Sequence, residues 1–79
     1  MIVSALVVTL DSDLGLRTRA LAALSRDARL EIGDTICDRV PVVAATETTA
    51  AGAELCEELA VQPGVVRVDI VSIDFSEAP

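Results

Sequence analysis

Residues 30–47 read Leu-Glu-Ile-Gly-Asp-Thr-Ile-Cys-Asp-Arg-Val-Pro-Val-Val-Ala-Ala-Thr-Glu. Leu30, Ile32 and Ile36 alternate with Glu31, Gly33 and Thr35, the period-2 pattern of a half-buried strand over 30–37. Asp38-Arg39 supplies turn residues, and 40–47, centred on Val42-Val43, reads as the next strand. Strands joined this tightly pair antiparallel. Pro41 conflicts with a place in mid-sheet, since proline is confined to strand starts, edges and bulges. Regular pairing of this strand is therefore expected to start near Pro41 or just after it.

On either side of this hairpin lies a helical pattern. Before it, Leu14, Ala20, Leu21 and Leu24 share one side of a helix over about 12–25, with Ala28 continuing the stripe and Arg19 and Arg26 opposite. Arg17 falls in the apolar arc, where its stem is expected to run along the edge. Asp11, Ser12 and Asp13 are N-cap candidates. After the hairpin, Gly52, Leu55, Cys56, Leu59 and Ala60 make one stripe of a helix over about 49–61. Thr46, Thr48 and Thr49 offer capping hydroxyls, and Pro63-Gly64 ends the helix. The apolar runs 2–10 and 65–75 flank the whole as outer strands in sequence, and 76–79 is expected to fray.

The order strand, helix, strand, strand, helix, strand uses almost all of the 79 residues. It is the split βαβ arrangement of a ferredoxin-like α+β sandwich. One domain is expected, with a four-stranded antiparallel sheet, spatial order fourth, first, third, second, and both helices on one face. Alternation then sorts the side chains. Leu6, Val8, Leu10, Leu30, Ile32, Ile36, Val42, Ala44, Val66, Val68 and Ile70 should pack under the helices. The uncovered face receives Val3, Ala5, Val7, Thr9, Val43, Ala45, Val71 and Ile73, with Arg67 and Asp69 further along. Glu31, Thr35 and Cys37 lie on its outer strand, and Glu47 at one end. A small apolar centre ringed by carboxylates is the pattern of an interaction site.

Composition narrows the partner. Six basic against thirteen acidic residues give a net charge of −7, and 52% of residues are hydrophobic. Such a surface repels nucleic acid and anionic membranes and attracts a basic partner. No apolar run approaches the ~18 residues of a membrane span, so no membrane insertion is expected. The opening Met-Ile-Val-Ser lacks a basic segment, so no signal peptide is expected. Cys37 and Cys56 read as free thiols of a reducing, cytoplasmic compartment. Without histidine there is no Ser-His or Cys-His dyad, and without CxxC spacing no zinc or copper ligand set. The sole aromatic, Phe75, cannot build a base-stacking sheet. The expectation is a binding protein with no catalytic residue, metal or cofactor.

Specific residues resemble a known family. Val3-Ser4-Ala5-Leu6-Val7-Val8 is similar to the "I-S-S-L-V-V" opening of NapD proteins. Gln62-Pro63-Gly64-Val65-Val66, followed by Asp69-Ile70-Val71-Ser72-Ile73, resembles their "l-P-G-V" turn and last strand. Val42 to Glu47 and the overall length fit as well. The chain has Ser25-Arg26-Asp27-Ala28 where the family often has Pro-Gly, and Val71-Ser72-Ile73-Asp74 where it often has Val-Tyr-His.

The resemblance implies a cytoplasmic chaperone of periplasmic nitrate reductase. Such a protein binds the twin-arginine signal peptide of the catalytic-subunit precursor and holds back export until the molybdenum cofactor is inserted. A twin-arginine peptide is basic, then apolar, which suits an acidic rim around an apolar sheet face. Asp69, Glu47 and Glu31 are the candidates to meet its arginines. The alternative is a dimeric small-molecule-binding regulatory domain of the ACT or Lrp/AsnC type. The sequence leaves open whether the free protein pairs with a second copy.

Overall fold

The computed structural model describes residues 1–75, the last of these by its backbone; the expected tail, 76–79, lies outside the described residues. The elements are β1 (Ile2–Leu10), α1 (Leu14–Arg26), β2 (Leu30–Ile32), β3 (Arg39–Thr46), α2 (Thr49–Ala60) and β4 (Val65–Phe75). The sheet runs β2-β3-β1-β4 with every neighbouring pair antiparallel. Both helices cover the same side, as a ferredoxin-like fold requires.

Alternation places the core. In β1, Ser4, Leu6, Val8 and Leu10 are buried, and in β3, Val40, Val42, Ala44 and Thr46. Ala20 and Leu24 of α1 and Leu55 and Leu59 of α2 close on them. Both helices start where side-chain caps allow. Asp13 Oδ1 accepts from the Leu16 N–H at 3.0 Å, and Thr48 Oγ1 from the Ala51 N–H at 3.0 Å, each satisfying a donor the helix leaves unpaired. Leu14 departs from the expected stripe. It is the first helical residue and points to solvent, and Leu16 is half-buried in its place.

Pro41 sits inside β3, paired with Val7, and β3 pairs with β1 from Arg39 onward. The expected late start is therefore corrected. Proline is tolerated here because of which neighbour its nitrogen faces. The Pro41 carbonyl accepts from the Gly33 N–H at 2.9 Å, so its backbone polar groups point to β2 and away from β1. β2 ends at that level, and no ladder bond to β1 is lost.

β2 is shorter than expected. After Ile32 the chain breaks, and Ile36 and Arg39 exchange both backbone bonds, at 2.8 and 3.0 Å, around a two-residue turn at Cys37-Asp38. Asp34 and Thr35 span the interval that Val40 alone spans in β3, so parity inverts: Ile36, expected in the core, is exposed beside Arg39. Thr35 and Cys37 belong to this break and turn, not to a strand face.

β4 carries the same irregularity twice. Its register against β1 shifts between Thr9 and Leu10 and again between Ala5 and Leu6, which leaves Val66 and Val71 without partners. Val65, paired with Leu10, therefore turns inward, and Val66 is 62% exposed. Beyond the second shift Ile73 pairs with Ser4, on the helix side. The expected place of Ile73 on the uncovered face is thus overturned, and Ser72 and Asp74 stand there opposite Ala5 and Val3.

Candidate functional site

The register gives the uncovered face as rows across the sheet. Arg39, Thr9 and Arg67 form the first row; Pro41, Val7 and Asp69 the second. Glu31, Val43, Ala5 and Ser72 form the third; Ala45, Val3 and Asp74 the fourth. Glu47 is exposed just past the end of β3. The bulge at Val71 turns that side chain toward the same face, where it lines a shallow groove of about 580 Å³ with Ala5, Val7, Pro41 and Val43. A second depression continues it over Val7, Pro41, Arg39 and Ile36.

Of the residues expected here, Val3, Ala5, Val7, Thr9, Glu31, Val43, Ala45, Asp69 and Val71 share the face. Pro41, Ile36, Arg39 and Asp74 join them unanticipated. Pro41 and Arg39 follow from β3 parity alone. Ile36 and Asp74 needed the bulges.

The face is polarised along the strands. Arg39 and Arg67 occupy one end; Glu31, Asp74 and Glu47 lie toward the other. Asp69 is engaged within its own strand, since Arg67 Nε donates to its Oδ1 at 2.9 Å. Among the described residues Glu31, Glu47, Asp74 and Arg39 have no ion-pair partner. They are the charges available to a ligand.

Ion pairs on the other side brace the scaffold. Arg17 donates through Nε to the Asp11 carbonyl at 3.2 Å and pairs with Asp38, which ties α1 to the turn between β2 and β3. This is a fuller role than the edge-lying stem expected of it. Arg29 joins Asp27 and Glu58 at 2.6 and 3.0 Å, linking the end of α1 to α2. The hydrogen bond from Arg29 holds the Asp27 carboxyl below its ordinary range, and those from Arg29 to Asp27 and Glu58 raise the guanidinium.

A smaller cleft opens under α2, between Ile2, Ser4, Gly52, Cys56, Ile70 and Ile73. Burial pushes the Cys56 thiol up, away from the reactive thiolate. Cys37 is exposed, and neither cysteine is bonded to another. Among the described residues no group of three or more Cys, Asp or Glu is placed to hold a metal ion. No helix of these residues is long and apolar enough to cross a membrane. Comparison with known proteins found no matching family model, no matching curated protein and no matching solved structure.

Proposed function

We propose that this chain is a cytoplasmic chaperone of the NapD type, binding the twin-arginine signal peptide of a nitrate reductase-type precursor until its cofactor is inserted. The observation that carries the reading is the uncovered face: an apolar groove continuous over β3 and β1, with unpaired carboxylates toward one end. A signal peptide lays its apolar segment, as an amphipathic helix, over Val43, Ala5, Val7 and Pro41. Its paired arginines reach Glu31, Glu47 and Asp74, where a guanidinium makes charge-assisted bonds to carboxylate. Asp69 contributes less than the other acids, because Arg67 already neutralises it. The unpaired Arg39 at the other end repels the arginines, which sets the peptide's direction.

Titration calorimetry with a synthetic twin-arginine signal peptide tests this. One peptide should bind per chain, and replacing both peptide arginines with glutamine should weaken binding roughly tenfold or more. Affinity indifferent to the arginines, or no heat of binding, contradicts the proposal. A melting temperature raised by a free amino acid instead supports the regulatory-domain alternative.

A further inference from the structure

A second copy of this chain fits the open face, and the arrangement is set by its polarity. We propose that two copies pair face to face about a two-fold axis that lies between the sheets and runs across the strands. This operation keeps each strand over its own equivalent and reverses the order of the rows. Arg67 of each copy, whose Nε holds its own Asp69, then turns its remaining guanidinium N–H groups to Asp74 of the other, and Arg39 meets the Ala45–Glu47 end of β3. The apolar rows, Val7 with Pro41 and Ala5 with Val43, close on each other at the centre. The inference is independent of the peptide reading; it concerns what covers the same groove when no peptide does.

Three observations carry it. First, the charges are self-complementary under this one operation. A two-fold axis along the strands would instead place Arg39 and Arg67 over the same basic row, like charge on like. Second, the sheet edges do not offer a competing contact. β2 has three residues, and β4 is interrupted by bulges at Val66 and Val71, both devices that block edge pairing. Third, the area suffices. The four strands hold 31 residues, and at about 3.4 Å along and 4.8 Å across the strand for each residue the face is roughly 500 Å² per copy. Pairing then buries about 1,000 Å², the lower bound for a specific interface and the range of weak, exchangeable dimers. Such a dimer yields to a competing ligand of the same face.

The test is sedimentation velocity on the whole chain, followed to high micromolar concentration, with two charge reversals. Arg67→Glu and Asp74→Arg each place like charges at both symmetric contacts and should weaken self-association roughly tenfold. Asp74→Arg also makes the chain two units less negative, so its loss of dimer cannot come from bulk repulsion. An equimolar mixture of the two variants restores opposite charges at both contacts and should dimerise like the parent. Both side chains are exposed on an edge strand, so folding, checked by circular dichroism, should be unaffected. A parent that stays monomeric, a dimer indifferent to either reversal, or a mixture that fails to recover overturns the proposal.

Discussion

A Cβ on Gly64 would lie 2.1 Å from the carbonyl oxygen of Leu16 and 2.9 Å from the Ala20 Cβ. The turn into β4 thus lies directly against α1, at a distance only glycine permits. Its φ of 92° adds a backbone conformation that other residues avoid. The Gly64 carbonyl also accepts from Asp11 at the end of β1, so one residue joins α1, β1 and β4. Gly64→Ala should cost about 3 kcal/mol or more, because α1 must move as a body to relieve the clash. Urea denaturation measures it; a loss under about 1 kcal/mol would contradict this account of the turn.

Cys37 has φ of 55°, left-handed backbone without glycine's freedom. Cys37→Gly should therefore stabilise the chain by about 0.5–1 kcal/mol, raising the melting temperature by a few degrees. Scanning calorimetry reads the change, and a lowered midpoint would contradict it.

The Asp27–Arg29–Glu58 cluster gives a defined pH dependence. Asp27 titrates below its ordinary 3.8 in the folded chain. A carboxyl lowered on folding adds stability above its unfolded pKa and loses it as pH falls through the folded value. Arg29 stays charged throughout and adds no slope in this window. Asp27→Asn should thus cost under about 1 kcal/mol at neutral pH, the pair being partly solvent-screened, and less at an acidic pH below 3.8, where that contribution is being lost. Denaturation of both forms at the two pH values reads this; a gap that persists undiminished in acid would contradict it.

The face assignment is tested by charge placed on either side of β4. Val7→Asp with Val71→Asp sets two carboxylates in the groove and should abolish peptide binding in a chain that remains folded. Ile73→Asp, two residues along from Val71 but on the helix side, should leave affinity within about threefold. Equal effects from both would contradict the register.

Strand alternation was legible where strands are regular. In β1 and β3 every even residue from Ser4 to Leu10 and from Val40 to Thr46 is buried, as period 2 demands. It failed at the bulges. In Val65 to Ile73 the polar residues Arg67, Asp69 and Ser72 change parity across the doublet Ile70-Val71, but the doublets Val65-Val66 and Ile70-Val71 do not say which member is the extra residue, and the pairing with β1 decides it. Ile73 was misplaced for that reason, and Asp74 missed. Asp34 and Thr35 hid the same device in the outer strand, and with it Ile36. Pro41 was visible as a conflict but not as its resolution, which depends on β2 stopping at the level of the proline nitrogen. The charge polarity of the face was unreadable until the row Arg39, Thr9, Arg67 came together from three strands.

The most direct test is an amide-shift titration of isotope-labelled protein with a twin-arginine signal peptide, at concentrations where the chain is monomeric. Saturable shifts should gather at Ala5, Val7, Val43 and Val71, extend to Glu31 and Asp74, and spare Thr49, Ala53 and Cys56 of α2, which line the helix-side cleft. Shifts centred on that helix-side cleft, or none that saturate, would contradict the claim that the open face receives the peptide.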